Sequence, residues 1–305
     1  MSDAPRRGVG IDLGTTNCAL AHVAMGGDGS VDEQPVPGSL DIPQVIQPGE
    51  VTPAPLLPSF LYLAGEHELP AGSLDLPWSP GRDHAVGRFA REHGAKVPGR
   101  LVSSAKSWLC HSGVSRRDPI LPYKAPDEVA KLSPVEVSSR YLEHLAAAWR
   151  NGQGSALGDE QTVLTVPASF DAAARDLTVE AAAAAGIPRP VLLEEPQAAL
   201  YAWIAGTRGA WRKQVSVGDV ILVVDVGGGT TDLSLIAVSE EGGDLALTRV
   251  AVGEHILLGG DNMDLALAHQ ARVELAQAGT RLDGWQFLEL GHACRLAKER
   301  LLADP

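Results

Sequence analysis

Two stretches far apart in the chain carry the same arrangement of chemistry-bearing residues. Residues 9–16 read Val-Gly-Ile-Asp-Leu-Gly-Thr-Thr, and residues 223–232 read Val-Val-Asp-Val-Gly-Gly-Gly-Thr-Thr-Asp. Each has an apolar run, an aspartate at its end (Asp12, Asp225), a glycine turn (Gly14; Gly227, Gly228, Gly229) and two threonines. Glycines let backbone N–H groups approach phosphate oxygens because no Cβ intervenes, and threonine hydroxyls add donors. Asp12, Asp225 and Asp232 would repel one another in a shared cleft unless a cation joined them. Mg²⁺ suits that place, since it takes carboxylate, water and phosphate ligands. One such hairpin alone reads as an ordinary turn. Two matched ones point to a nucleoside triphosphate held where two halves of a molecule meet.

Other signatures of phosphate and hydrolytic chemistry are missing. The chain has no G-x-x-x-x-G-K-[ST] run, and Gly8, Gly10 and Gly14 flank a strand rather than open a helix as a G-x-G-x-x-G turn does. Neither H-E-x-x-H nor G-x-S-x-G occurs. Lys and Arg number 25 against 38 Asp and Glu, a net charge of −13, which argues against nucleic acid or an anionic membrane as partner. Cys18, Cys110 and Cys294 are an odd, widely spaced set with no CxxC pair, as in a reducing compartment. No signal peptide and no 18-residue apolar run are visible, so the expectation is a cytoplasmic protein.

The elements that must position these residues follow from the pattern. Strands are predicted over 8–13 and 17–24, forming a hairpin around the first turn. A Pro-, Gly- and acid-rich loop runs from Gly26 to about Pro58, with short edge strands at most. A strand over 59–64, a loop over 65–83 and short helices over 84–96 and 101–110 come next. Ser133-Pro134-Val135-Glu136 has the N-cap, first-turn proline and third-position acid of a capping box, starting a helix to about Arg150. A strand over 161–166 stops at Pro167, and an Ala-rich helix runs from Asp171 to Gly186. A strand over 191–194 and a helix over 196–206 close the first half. The second half has strands over 220–225, 232–238 and about 245–252, then helices over 261–278 and 284–302. Strands alternating with helices make an α/β fold.

With the elements in place, the motifs and their order resemble the heat-shock protein 70 (DnaK-type) chaperones, within the actin-like ATPase superfamily. Gly10 to Asn17 is similar to that family's first phosphate loop. Val166-Pro167-Ala168-Ser169-Phe170 is similar to its connecting strand and proline, and Glu195-Pro196-Gln197-Ala198-Ala199 to its E-P-T-A-A turn. Asp225 to Asp232 resembles the second phosphate loop, with Thr231 where Phe is usual. Leu258-Gly259-Gly260-Asp261-Asn262 resembles its L-G-G-E-D segment, and Ala105-Lys106 the surroundings of its catalytic lysine.

The resemblance implies a ribonuclease H-like pair of duplicated lobes. The first would cover 1–217, with a small subdomain at about 55–120, and 218–305 would be an incomplete second lobe. It implies ATP and ADP as ligands, with Mg²⁺ held mostly through water by Asp12, Asp225 and Asp232, and K⁺ as a further cation. Gly14, Thr15, Thr16, Asn17, Gly227, Gly228, Gly229 and Thr230 would hold phosphates. Lys106, Glu195, Asp12, Asp225 and Thr230 would carry the hydrolysis. Gly259, Gly260, Arg295 and Lys298 would also bind the nucleotide, with Arg295 and Lys298 on its base and ribose side. Pro167 and Arg175 match positions that relay nucleotide state. The implied partners are a J-domain cochaperone, a nucleotide exchange factor and unfolded client peptides.

Some positions depart from the family. Its adenosine helix presents an acid, Lys, Arg and Ser; here Arg295, Lys298, Glu299 and Leu302 stand in those places. Arg295 and Glu299 are expected to form an i,i+4 pair with swapped charge. The Pro-rich stretches 35–58 and 70–80 are unlike the usual small subdomain. Residues 1–305 read as an N-terminal fragment that leaves apolar surface uncovered, binds ATP weakly or not at all, hydrolyses it negligibly and tends to oligomerise. The rival readings are an actin-like filament former, a small-molecule kinase of the same superfamily and a non-catalytic nucleotide-sensing scaffold. The segment carrying Lys106 counts against the filament, and the Glu195-Pro196 turn against the kinase.

Overall fold

In the computed structural model, residues 7–25, 37–111, 113–253 and 256–303 are described. The first eleven residues of the expected 26–58 loop lie outside them. Strands β1 (Arg7–Leu13) and β2 (Asn17–Ala24) form the first hairpin, Ile11 opposite Leu20. Short β3 (Gly38–Ser39) pairs with β2. A separate hairpin joins β4 (Ile42–Gln47) to β5 (Glu50–Ala54), and β6 (Leu57–Pro58) returns to β2. Next come β7 (Leu61–Leu63), β8 (His84–Val86), α1 (Arg88–Gly94), β9 (Leu101–Val102) and α2 (Ala105–Leu109). The long α3 (Pro134–Gln153) precedes β10 (Gln161–Val166), α4 (Ala172–Ala184), β11 (Val191–Glu194) and α5 (Glu195–Gly206). The second half is β12 (Val220–Val226), β13 (Thr231–Glu241), β14 (Asp244–Val252), α6 (Gly260–Gln277) and α7 (Gly284–Ala303).

Two sheets organise the molecule. The first runs β11-β10-β1-β2-β3, with β6 also on β2; the second runs β12-β13-β14. In the first, β1, β10 and β11 are parallel, Ile11 level with Leu164 and Val166 with Glu194. Parallel strands end on the same side, so Asp12, Pro167 and Glu195 emerge together at the carboxyl edge, where open α/β sheets place ligands.

Several expected boundaries move. The expected loop before Pro58 contains the β4–β5 hairpin, with Pro43 opposite Pro53. Both short helices begin as strands: Ala85 pairs with Tyr62, and Leu101 pairs with Tyr62 from the other side. Cross-strand packing on a buried strand overrides local helix propensity there. The strand expected over 59–64 shrinks to Leu61–Leu63. The capping box forms as read: Glu136 N donates to Ser133 Oγ at 3.2 Å, and Ser133 N to Glu136 Oε2 at 2.7 Å. Asp171 caps α4, accepting from Ala174 N at 2.7 Å.

The main core lies between the first sheet and α3 and α4. Val9, Ile11, Leu20, Leu164 and Val166 meet Tyr141, Leu142, Leu145 and Trp149 of α3 and Ala181 of α4. A smaller cluster around Phe60, Tyr62, Leu74 and Phe89 supports the segment leading to α2. The second sheet has Ile236 and Val238 buried on one face. On the other face, Val220, Leu222, Val224 and Val226 of β12 are each more than half exposed.

Candidate functional site

A cavity of about 800 Å³ opens between the two sheets. The first turn contributes Asp12, Gly14, Thr15, Thr16 and Asn17 to its wall, and the second contributes Asp225, Gly227, Gly228 and Thr230. Of the other motif residues, Lys106, Pro167, Phe170, Glu195, Ala198, Ala199 and Gly260 also line the wall, and Gly229 does not. The local reasons are visible in the strands. On β1 the side chains of Val9, Ile11 and Leu13 point into the core, so Asp12 points to the opposite face. Thr165 of neighbouring β10 donates its hydroxyl to Asp12 Oδ1 at 3.0 Å. On the second sheet Asp225 and Asp232 are cross-strand partners, and Thr230 Oγ1 donates to Asp232 Oδ2 at 3.3 Å. Asp232 is buried behind the cavity wall.

Lys106, on α2, is buried and forms an ion pair with Glu195 at the start of α5. Burial works against its charge, but Glu195 and Asp12 outweigh that and raise its pKa, so it stays an ammonium. Asp225 is pushed up by burial and then by Asp232 and Asp12, with Lys106 acting the other way. A carboxylate disfavoured by burial and by two neighbouring acids is one that a cation would relieve. Among the described residues, no group of three His, Cys, Asp or Glu side chains converges closely enough to hold an ion directly.

The second turn is braced from behind. Gly260 N donates to Gly227 O at 3.0 Å, and Asp261 N to Gly228 O at 2.7 Å. A Cβ on Gly259 would lie 2.6 Å from both the Gly227 and Gly228 carbonyl oxygens, so only glycine fits without displacing the turn. Gly259 therefore supports the turn, and Gly260 adds to the wall.

Arg295 and Lys298 stand behind Gly260 rather than on the wall itself. Arg295 Nε donates to Asp264 Oδ2 at 2.9 Å, and its Nη2 pairs with Asp261. Lys298 Nζ lies 2.7 Å from Asp264 Oδ1 and donates to Gly260 O at 2.9 Å. The Arg295–Glu299 pair expected along α7 does not form. Acids on α6 offer Arg295 closer partners, and Glu299 faces Arg91 of α1 at 3.6 Å. Arg175 is engaged at the other side of the cavity. It donates to the Phe170 carbonyl at 3.1 Å and to Glu194 Oε1 at 2.9 Å, and Glu194 also pairs with Arg249 of β14.

Thr165 and Ser107 escaped the sequence reading. Thr165 becomes visible only when β10 is placed beside β1. Ser107 directly follows Lys106, and that adjacency was the available signal.

The parallel carboxyl edge and the shared cavity define a mixed α/β protein consistent with an actin-like ATPase fold. Comparison with known proteins makes the assignment: the family described as Hsp70 protein matches residues 80–303, and the chain belongs to the Hsp70 family. Among similar curated proteins, the chaperone protein HscA of Enterobacter sp. (strain 638) is 31% identical over 299 residues, 92% of this chain and 40% of that protein. The HscA of Edwardsiella ictaluri (strain 93-146) is 33% identical over 297 residues, 92% of this chain and 40% of its own length. That of Pectobacterium carotovorum subsp. carotovorum (strain PC1) is 32% identical over 314 residues, 97% of this chain and 42% of its length. The chain thus spans about 40% of the length of these relatives. No described helix is long and apolar enough to cross a membrane.

Proposed function

We propose that residues 1–305 are the ATP-binding and ATP-hydrolysing part of a DnaK-type chaperone. The observation that carries this is a single cavity walled by both glycine turns together with Lys106 and Glu195. Residues 1–217 and 218–305 are the two duplicated lobes, with the small subdomain at about 55–120. The second lobe is incomplete in this stretch, and the bare valine face of β12 supports that.

The turn amides and the hydroxyls of Thr15, Thr16 and Thr230 bind the β- and γ-phosphates. Asp12, Asp225 and Asp232 hold Mg²⁺ mostly through water. Bound Mg²⁺ neutralises charge on the phosphate oxygens. Thr165 fixes the Asp12 carboxylate toward the cavity. Lys106 presents its ammonium to the γ-phosphate, where charge shifts in the transition state. Glu195 holds that ammonium and accepts a hydrogen bond from the attacking water. ATP and ADP states, with K⁺ as an accompanying ion, control a peptide-binding domain, and J-domain and exchange-factor partners set the cycle.

Single-turnover release of phosphate from Mg·ATP by the intact protein tests this. Mg²⁺-dependent release, accelerated by an unfolded peptide, is the expected result. Saturable ATP binding without release would make the protein a non-catalytic sensor, and ATP-dependent sedimentation of filaments would favour the actin-like rival.

A further inference from the structure

One polar group on the cavity wall has no role in the mechanism above. Ser107 follows Lys106 on α2 and lines the same cavity. Its Oγ is buried and has no hydrogen-bond partner among the described residues. The rest of Ser107 is tied in place. Its N–H donates to Ser104 O at 3.0 Å, and its carbonyl accepts from Cys110 Sγ at 3.1 Å. Ser104 in turn donates its hydroxyl to Asp261 of α6, so the start of α2 is anchored to the other half of the molecule. The hydroxyl is therefore held still while its hydrogen-bonding capacity goes unused.

Its direction is equally defined. A Cβ on Gly229 would lie 2.4 Å from Ser107 Oγ, and one on Gly228 would lie 2.1 Å from Thr16 Oγ1. Two hydroxyls from the first half thus stand against the triple-glycine turn of the second. A hydroxyl offers one donor and two acceptors, and a buried one without partners is a cost to the unliganded protein. That cost is recovered when an anionic oxygen arrives, since hydrogen bonds to charged groups are the stronger kind.

Resting on the ATP reading above, we propose that Ser107 is a ligand of the terminal phosphate, its hydroxyl donating to a γ-phosphate oxygen beside the Lys106 ammonium. The contact exists only with the triphosphate. Ser107 therefore discriminates ATP from ADP.

The test is Ser107→Ala in the intact protein, read by thermal unfolding without nucleotide and by calorimetry with Mg·ATP and Mg·ADP. The expected result has three parts. The unliganded midpoint stays the same or rises, because an unpaired buried hydroxyl has gone. ADP affinity holds within about twofold, and ATP affinity falls about tenfold, the scale of one charge-assisted hydrogen bond. An unchanged ATP-to-ADP affinity ratio would overturn the proposal. A lowered midpoint or failure to fold would do so too, since the hydroxyl would then be holding the unliganded structure. Wild-type protein that binds neither nucleotide would remove the ATP reading itself, and Ser107's role with it.

Discussion

At the scale of single residues, Lys106 and Glu195 are the pair on which most turns. Lys106 is buried and Glu195 is its ion-pair partner, so truncating one leaves the other as a buried unpaired charge. Lys106→Ala is expected to lower single-turnover hydrolysis by about 10²–10³, the scale for removing one transition-state donor. ATP affinity should change far less, because the turn amides dominate ground-state binding. The variant should also melt earlier than wild type, and adding Glu195→Gln should restore the midpoint without restoring hydrolysis. Rapid-quench kinetics beside thermal unfolding separates the two effects, and wild-type hydrolysis in Lys106→Ala would remove the lysine from the mechanism. The acids make a second residue-level prediction. Asp12→Asn and Asp225→Asn should each weaken ATP binding in Mg²⁺ and leave binding in EDTA nearly unchanged. Equal Mg²⁺ dependence in calorimetry of all three proteins would contradict a shared cation.

The motif residues were legible because their types and order are unusual. Thr165 and Ser107 were not, since a lone threonine in a strand and a lone serine in a helix acquire meaning only from register. The same contrast appears in Arg295. Sequence spacing put Glu299 within reach along α7, while its closest carboxylates, Asp261 and Asp264, came from α6, more than thirty positions earlier.

At the scale of elements, α3 shows how a long helix is both legible and consequential. Its capping box and amphipathic pattern are written in the chain, and its buried face holds the first sheet. The short segments around it were harder. His84–Val86 and Leu101–Val102 carry no strand signature of their own and become strands because β7 lies between them. One contact of α3 sets a pH limit. His144 is buried on α3, stacks edge-on with Trp78 and donates from Nε2 to the Pro43 carbonyl of β4 at 2.9 Å. Burial pushes its pKa down from 6.5 to about 4, with Arg82 and His84 adding to the burial and the Pro43 carbonyl opposing it. The unfolded chain then binds the proton more readily than the folded one, so stability is full above pH 6.5 and declines as pH falls toward 4. The loss from this group between pH 7 and pH 5 is about 2 kcal/mol. Urea unfolding at the two pH values measures it, and His144→Gln should shrink the difference by that amount. An undiminished acid loss in His144→Gln would assign the sensitivity elsewhere.

At the scale of the whole molecule, the two sheets differ in how they are covered. The first is packed against α3 and α4, while the second shows one face of β12 to solvent. Alternating burial in β12 is not evident in its sequence. Val-Ile-Leu-Val-Val reads as a strand covered on both faces, and only the assembled structure exposes one. What joins the sheets into one functional object is the cavity between them and the turns that wall it. In the function proposed above, the 227–229 turn is half of a triphosphate cradle whose other half is 14–17. Gly259 gives the most direct access to it, since it touches that turn from behind and lies outside the cavity wall. Mg·ATP should be titrated calorimetrically into wild type and Gly259→Ala of the intact protein. One ATP per chain in the wild type, and affinity at least about tenfold weaker in Gly259→Ala because the added Cβ displaces the Gly227–Gly228 carbonyls, is the predicted result. Equal affinity in the two proteins, or a folded wild type that takes up no ATP, would contradict it.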